Sequence, residues 1–324
     1  MARLSVRLDA LRHNAALVAQ SCSRAGAACL PVMKSALLHP EIAQAIAEGA
    51  GVKSFGAMAW PEHGAPCLDG LELQHIYAPS SSLADKLEDF STVYVSSQYE
   101  LRLLHEHCRK RRPALRLSLE CGDGRDGLLP EEVLPFCRLA AELGFPLRGL
   151  SLNFACMSVK PPDLCALREA ERSLAIVRSF SPEADISAGG TDILELAQLE
   201  ELPASIGEIR CGTGILLGTY PLSRNVIPGA SQETFRLEGT VLECRAKAGR
   251  KLALFDFGCL HTEVARLTAP LPGMALCGTS SAYAVFDVTE CPAPIDEGQS
   301  AAFSLDYHSL MLALGSRALP VETL

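Results

Sequence analysis

The sequence has few aromatic residues and no excess of positive charge. Only 6% of its 324 residues are aromatic, one of them a tryptophan, and 29 lysines and arginines stand against 38 aspartates and glutamates. The formal net charge of −9 provides no basic field to attract phosphate backbones. Nucleic acid is therefore excluded as an expected partner.

Long apolar runs are also missing. Without a stretch of about 18 consecutive apolar residues, no membrane-spanning helix and no membrane partner are expected. Residues 1–7 are too polar for a signal peptide. Together these features predict a cytoplasmic protein.

Cysteine is abundant, but it follows no metal-binding pattern. The 13 cysteines are scattered, with no C-x-x-C pair and no Cys/His cluster at metal-ligand spacing. We interpret them as mostly buried thiols in a reducing compartment and expect no metal site. The apolar fraction of 48% and charged fraction of 21% are typical of a well-packed protein with one large domain or two ordinary ones.

Short apolar or β-branched runs alternate with amphipathic segments through the first two thirds of the chain. Strands that alternate with helices imply parallel βαβ units, and eight units closed on themselves make an α/β protein of the (β/α)8 TIM-barrel class. An open doubly wound sheet is the alternative, but it predicts a Gly-rich loop after the first strand, where the sequence is Lys34-Ser35-Ala36. The eight predicted strands cover residues 30–34, 54–58, 73–78, 92–97, 115–120, 147–153, 184–188 and 208–216.

The pattern changes after about residue 225. Strand-like runs at 236–246, 252–257, 284–288 and 300–305 are separated by Pro and Gly turns. The sequence therefore predicts a barrel over residues 9–225 and a C-terminal β domain over 226–324, to which residues 1–8 add a strand.

Lys34 follows an apolar run at the predicted end of the first barrel strand. Chemistry in a barrel lies at the C-terminal ends of its strands, and a lysine in such a place commonly forms a Schiff base with a carbonyl cofactor such as pyridoxal phosphate. A solvated strand-end lysine is the alternative interpretation.

The ends of the seventh and eighth predicted strands are suited to phosphate. They carry Ser187-Ala188-Gly189-Gly190-Thr191 and Arg210-Cys211-Gly212-Thr213-Gly214. Small residues expose backbone N–H groups, and hydroxyls add donors at a helix N-terminus. An ordinary Gly-rich turn before a helix is the alternative for the first segment. A lysine after strand one with a phosphate cradle after strands seven and eight is the layout of barrel-bound pyridoxal phosphate.

With these motifs the chain resembles the alanine-racemase-like, fold-type III enzymes that depend on pyridoxal phosphate, and it is closest to their ornithine racemase branch. The resemblance extends over nearly the whole chain. It is carried by Pro31-Val32-Met33-Lys34-Ser35, Glu120-x-Gly122-Asp123-x-Arg125-x-Gly127, Asn153-Phe154-Ala155-Cys156, Ser187-Ala188-Gly189-Gly190-Thr191, Ile209-Arg210-x-Gly212-x-Gly214 and Gly278-Thr279-Ser280-Ser281.

The resemblance implies roles for particular residues. Lys34 would carry the cofactor and act as one of two bases, and Arg210 would face the pyridine nitrogen and keep it unprotonated. Arg125 and Ser281 would bind substrate. The implied cofactor-binding residues are Lys34, Asn153, Ser187, Gly190, Thr191, Arg210, Gly212 and Thr213.

The second base departs from the pattern of alanine racemases. Those enzymes supply a tyrosine of a Gly-Tyr pair from the other subunit, where this chain has Gly258-Cys259. A thiolate is a competent base, so Cys259 is the first candidate and Tyr283 the second. A buried thiol is the alternative for Cys259, and a surface position is expected for His261.

Three functions follow from the resemblance. The first is an amino-acid racemase, an isomerase that interconverts L- and D-amino acids in a homodimer with shared active sites. The others are a decarboxylase of a basic amino acid and a pyridoxal-phosphate-binding protein without turnover. The ornithine racemase branch favours a basic substrate, while ornithine, lysine, arginine and small neutral amino acids all remain open.

Overall fold

A computed structural model describes residues 1–58, 70–154, 156–158, 160–247 and 249–324. Ala155, part of one segment that carries the resemblance, lies outside the described residues. The chain divides into two compact units. We call residues 12–34 with 46–230 the barrel unit, and residues 1–11, 35–45 and 231–324 the β unit.

Strands and helices alternate along most of the part of the chain that the structure describes. The strands are β1 Arg3–Val6, β2 Ala28–Pro31, β3 Ser54–Ala57, β4 Glu72–His75, β5 Thr92–Val95, β6 Ala114–Leu119, β7 Leu147–Asn153, β8 Asp185–Gly189, β9 Ile206–Cys211, β10 Phe235–Lys247, β11 Arg250–Phe255, β12 Ala275–Thr279, β13 Ala284–Asp287, β14 Ser300–Phe303 and β15 Val321–Thr323. The α-helices are α1 Leu8–Arg24, α2 Pro40–Ala50, α3 Gln98–His107, α4 Val133–Glu142, α5 Leu164–Arg178, α6 Asp192–Leu199, α7 Thr213–Leu217 and α8 Tyr307–Gly315.

Strands β2 to β9 form one parallel sheet that closes on itself. Their order is β2-β9-β8-β7-β6-β5-β4-β3. The two outer strands meet at a parallel bridge between Val32 and Gly56, beside which the Met33 N–H donates to the Gly56 carbonyl at 3.0 Å. The predicted α/β barrel is confirmed, and the open doubly wound sheet is wrong.

Local sequence signals explain several of the barrel's helices. Ser97 and Glu100 form a reciprocal capping box at the start of α3. The Asp163 carboxylate accepts from the Ala166 N–H at 2.8 Å and caps α5. These caps fix where each helix begins and therefore which face it turns to the strands.

The β unit is built on a second, mostly antiparallel sheet. Its long strand β10 pairs with β1, β11 and β14, while β1 also pairs with β15 in parallel. Its core holds a cluster of aromatic rings with centroid distances of 5.1–6.3 Å, formed by Phe255, Phe257, Phe286 and Phe303. Across the described residues, no helix combines the length and the apolarity needed to cross a membrane.

Several barrel strands end earlier than predicted, and two of these differences bear on the site. The last barrel strand was expected over 208–216, but β9 stops at Cys211 and Thr213 begins helix α7. Gly218 ends that helix with a φ of 68°, a left-handed conformation that favours glycine. The first strand was expected to include Lys34, but β2 ends at Pro31, and Lys34 begins a 3-10 helix that extends to Leu38.

Candidate active site

Lys34 lies just beyond the end of β2, next to the end of β9. The Val32 N–H donates to the Cys211 carbonyl at 2.8 Å, which ties this segment to its neighbour. The Lys34 backbone has a φ of 39°, a strained conformation for a residue with a Cβ. Such strain persists where the surrounding structure imposes it, and it is concentrated at functional sites. The Lys34 Nζ is 5.9 Å from the centre of the Tyr77 ring.

Arg210 is buried on β9 and is held by three acceptors. Its Nη1 donates to the carbonyl and hydroxyl oxygens of Ser187 at 2.8 and 2.9 Å, and its Nη2 donates to the Leu152 carbonyl at 2.7 Å. The guanidinium carbon is 5.3 Å from the centre of the Tyr94 ring. A Cβ at Gly189 would lie 2.5 Å from Nη2, so a larger residue there would push the guanidinium away from these acceptors. The direction of the guanidinium is therefore fixed.

A buried carboxylate, Glu208, lies next to the Ser187 hydroxyl that holds Arg210. Its Oε1 accepts from the Ser187 hydroxyl at 2.5 Å and from the Tyr94 hydroxyl at 3.2 Å, and its Oε2 accepts from the Gln74 amide at 2.9 Å. Burial alone would raise the pKa of Glu208, but the nearby Arg116 and the hydroxyl of Ser187 lower it below its ordinary value. Glu208 is therefore an anion that accepts a hydrogen bond from the Ser187 hydroxyl. The lone pairs of that hydroxyl remain to accept from Arg210.

A series of charged side chains continues from Glu208 through Arg116 to Asp185, towards the other end of the barrel. Arg116 is fully buried, with its Nε 3.7 Å from Glu208 Oε1 and its Nη1 donating to Asp185 Oδ1 at 2.6 Å. These residues were missed at the sequence level. The available signal was a charged residue in the middle of an apolar strand, at Leu115-Arg116-Leu117 and Ile206-Gly207-Glu208-Ile209.

The turns after β8 and β9 lie side by side and offer hydrogen-bond donors. The Thr191 hydroxyl accepts from the Gly214 N–H at 3.2 Å, which links the two turns. Gly190, Gly212 and Thr213 keep accessible surface, and a Cβ at Gly190 would have no neighbour closer than 3.9 Å. Helices α6 and α7 begin here, and the first N–H groups of a helix have no acceptor within it. The donor set suits a phosphate group.

Asn153, at the end of β7, organises a neighbouring loop. Its amide nitrogen donates to Asp123 Oδ2 at 2.8 Å, and Asp123 Oδ1 accepts from the N–H groups of Cys156, Met157 and Ser158 at 3.0–3.1 Å. Burial alone would raise the pKa of Asp123, but these hydrogen bonds lower it below its ordinary value.

Arg125 pairs within the loop that follows β6. Its Nε donates to Asp126 Oδ1 at 2.5 Å, and 33% of the Arg125 side chain remains exposed.

The predicted second bases lie on two adjoining turns of the β unit, Cys259 after β11 and Tyr283 between β12 and β13. The Cys259 N–H donates to the Ser280 carbonyl and the Leu260 N–H to the Ser281 carbonyl, both at 2.9 Å. The Cys259 Sγ is 3.5 Å from the Thr279 hydroxyl. Cys259 is exposed, so the buried-thiol alternative is wrong for it. Tyr283 is also exposed, at 48%.

His261 is not the surface residue that the sequence suggested. It is 8% exposed, and its Nδ1 accepts from the Gly258 N–H at 3.0 Å. A Cβ at Gly258 would lie 2.3 Å from the Ser280 carbonyl, so this turn requires glycine. His261 therefore supports the backbone that presents Cys259.

The chain is similar to known racemases along nearly its whole length. The family model described as the N-terminal domain of alanine racemase matches residues 6–221. A lysine racemase of Thermotoga maritima is 25% identical over 97% of this chain and 96% of its own, and an ornithine racemase of Acetoanaerobium sticklandii is 20% identical over 99% of each. The crystal structure of alanine racemase from Bartonella henselae with covalently bound pyridoxal phosphate has a TM-score of 0.74 at 14% identity, over 100% of this chain and 99% of that one. At this identity the structural match shows a shared fold.

Proposed function

This chain belongs to the alanine racemase N-terminal domain family, and we propose that it is a racemase of basic amino acids that uses pyridoxal phosphate. The observation that carries the proposal is the arrangement of Lys34, the clamped Arg210 and the paired turns after β8 and β9 at one end of the barrel. Curated relatives that match along nearly their whole length are a lysine racemase and an ornithine racemase, which supports both the reaction and the substrate class.

The residues at this end of the barrel fit the cofactor. Lys34 would hold it covalently, Gly190, Thr191, Gly212 and Thr213 would bind its phosphate, and Arg210 would face its ring nitrogen. When bound, pyridoxal phosphate supplies an electron sink that acidifies the Cα–H bond of an amino acid attached to it. The Arg210 guanidinium offers only N–H donors and no acceptor. It would therefore leave the ring nitrogen without a proton and limit how far charge spreads from Cα.

Racemisation needs a base on each face of Cα. Lys34 Nζ would remove or return the proton on one face. We propose that Cys259 of a second copy of the chain serves the other face in a homodimer, because its thiol is exposed on a turn held by two backbone hydrogen bonds to residues 280 and 281 and by His261. Tyr283, exposed on the adjoining turn, is the second candidate.

The substrate carboxylate would pair with the exposed part of Arg125, since a guanidinium binds a carboxylate through two parallel hydrogen bonds. Ser281 would contribute a hydroxyl from the turn between β12 and β13. Lysine and ornithine are the expected substrates.

The test is incubation of the cofactor-loaded protein with single L-amino acids in deuterated water, analysed by chiral chromatography with mass detection. D-lysine or D-ornithine carrying one deuterium at Cα is the expected product. The Lys34→Ala variant should show no exchange at Cα. Release of carbon dioxide would establish the decarboxylase instead, and exchange in Lys34→Ala at the wild-type rate would refute the role of Lys34.

A further inference from the structure

A cluster of three sulfur atoms lies in the barrel unit, on the face of the sheet opposite the one that carries Arg210. It is formed by Cys22, Cys29 and Cys211, whose Sγ atoms all lie within 4.8 Å of one another. The Cys22 and Cys211 sulfurs are 3.9 Å apart. Nothing in the proposed racemase reaction uses these thiols.

The topology explains why three cysteines distant in sequence meet. In the β2–β9 pairing, Cys29 is opposite Ile209 and Pro31 is opposite Cys211. Side chains at paired positions and two residues apart point to the same face of a sheet. Cys29 and Cys211 therefore share one face, while Arg210, between Ile209 and Cys211, points to the other.

Helix α1 supplies the third sulfur. Its residues Ala15, Val18 and Cys22 are all fully buried and recur at the helical spacing of three and four. The stripe they form ends at Cys22, which brings its thiol onto the face of β2 and β9 that carries the other two. An α-helix and two neighbouring strands thus hold the three sulfurs, and none of them is on a loop.

We propose that Cys22, Cys29 and Cys211 form a three-thiolate site for a soft metal ion, with Cu(I) as the ion that fits best. Thiolates select soft ions such as Cu(I) over Mg²⁺ and Ca²⁺. With metal–sulfur bonds of about 2.3 Å, a planar three-coordinate ion separates its sulfurs by about 4.0 Å. The distance between Cys22 and Cys211 already matches that value.

The ligand number separates Cu(I) from zinc. Structural zinc sites hold four protein ligands in a tetrahedron. Within the described ranges no fourth cysteine, histidine, aspartate or glutamate joins the group. Three sulfurs alone complete the coordination of Cu(I), whereas a zinc ion here would lack one ligand.

Binding of the ion exchanges it for the three thiol protons. Three S–Cu bonds form, three S–H bonds break, and the thiol protons leave to solvent, so no oxidant or reductant is needed. Cys22 and Cys211 are buried residues, Cys29 is partly exposed, and all three sulfurs are buried. An ion would therefore reach them when the packing between α1 and the strands opens locally.

The test is an anaerobic titration of the full-length reduced protein with Cu(I) against a chromogenic Cu(I) chelator. We expect wild type to retain one ion per chain more than the Cys22→Ala/Cys211→Ala double variant. Cys137→Ala is the matched control, since Cys137 is equally buried in the same unit but outside the cluster, and it should bind as wild type does. Equal retention by wild type and the double variant would overturn the proposal.

A second measurement does not depend on any variant folding. X-ray absorption of wild type loaded with one Cu(I) should give three sulfur neighbours at about 2.3 Å and no nitrogen or oxygen neighbour. Two sulfurs, or a shell containing nitrogen, would place the ion elsewhere and refute the site. Recovery of a Cys22–Cys211 disulfide after Cu(I) loading, with no metal retained, would also refute it, because the cluster would then be a redox pair. None of these outcomes depends on racemase activity.

Discussion

One of the three acceptors that hold the Arg210 guanidinium is a side-chain hydroxyl, that of Ser187. The Ser187 hydroxyl accepts from Arg210 Nη1 and donates to Glu208. The Glu208 carboxylate thereby orients the hydroxyl, and the oriented hydroxyl holds the Arg210 guanidinium that would face the cofactor. A hydrogen bond to a charged group contributes about 1.5–3 kcal/mol. Ser187 and Glu208 are therefore positioning residues for Arg210.

Removing that hydroxyl gives the first prediction. In Ser187→Ala, we expect the racemisation rate to fall roughly tenfold, equivalent to ~1.4 kcal/mol, because Arg210 loses one of its three acceptors. The pH dependence of the bound cofactor's absorption spectrum should shift as well. Ser187→Thr keeps a hydroxyl and should recover most of the rate, and Ser173→Ala, at a buried helical serine, should change neither property. If Ser187→Ala lowered the melting temperature but left the pH dependence of the cofactor's absorption spectrum unchanged, Ser187 would have only a structural role.

The identity of the second base is the next question at this scale. We expect Cys259→Ser to lose racemisation by about 10²-fold or more, because a hydroxyl is a much weaker base than a thiolate. It should still exchange the Cα hydrogen of one enantiomer with retained configuration through Lys34. Tyr283→Phe should racemise within a few-fold of wild type. The opposite pattern, measured in the same deuterium experiment, would assign the role to Tyr283.

The sequence was sufficient to propose Lys34 and Arg210 as site residues but not the residues that pack behind them. Lys34 follows from the rule that functional side chains occur at the carboxyl ends of barrel strands, and Arg210 follows from the family resemblance. Glu208, in contrast, binds Gln74, which is 134 positions away, and Tyr94, which is 114 away. Such pairings depend on how the strands are staggered around the barrel, and local sequence does not specify that stagger.

At the scale of elements, α7 shows why an apolar run is ambiguous. Ile215 and Leu216 are buried, as they would be on a strand, so their apolar character does not separate strand from helix. Gly212 and Gly218 at its two ends decide the matter, since they limit the segment to one short helix. The same two features place Thr213 at a helix start, where its N–H is available to a phosphate.

Gly149 provides the prediction for the barrel sheet. Its φ is 151°, and a Cβ there would lie 1.9 Å from the Asp185 carbonyl on the neighbouring strand. We expect Gly149→Ala to lower the free energy of unfolding by roughly 2–4 kcal/mol, because it strains the backbone and separates β7 from β8. Gly278→Ala, which meets no atom within 4 Å, is the control and should stay within about 0.5 kcal/mol of wild type. Urea unfolding measures both, and equal stability of the two variants would contradict the expectation.

At the scale of the whole molecule, stability should depend on pH through His75. Burial lowers the pKa of His75 to about 4, so the folded protein binds this proton less readily than the unfolded chain does. Above about pH 6.5 the neutral His75 does not lower the free energy of unfolding. As the pH falls from 6.5 towards 4, the unfolded chain takes up the proton first, and the free energy of unfolding falls by ~3 kcal/mol in total.

A variant isolates that contribution from those of the carboxylates. His75→Gln has no titrating group, so its free energy of unfolding should change less than that of wild type between pH 6.5 and 4. Urea unfolding at several pH values measures the two slopes. Parallel slopes would show that His75 already titrates normally in the folded protein.

The pairing of β1 has a consequence for the order of folding during synthesis. Leu4 lies between Leu237 of β10 and Val321 of β15, and the Leu324 N–H donates to the Val6 carbonyl. All the strands of the barrel are synthesised before β10, whereas β1, which precedes them, pairs with strands that follow them. Until residue 321 has been translated, β1 has an unpaired edge that other chains could join. We therefore expect nascent chains that stall after the whole barrel has emerged but before residue 321 has been made to carry a closed barrel and an unpaired edge on β1.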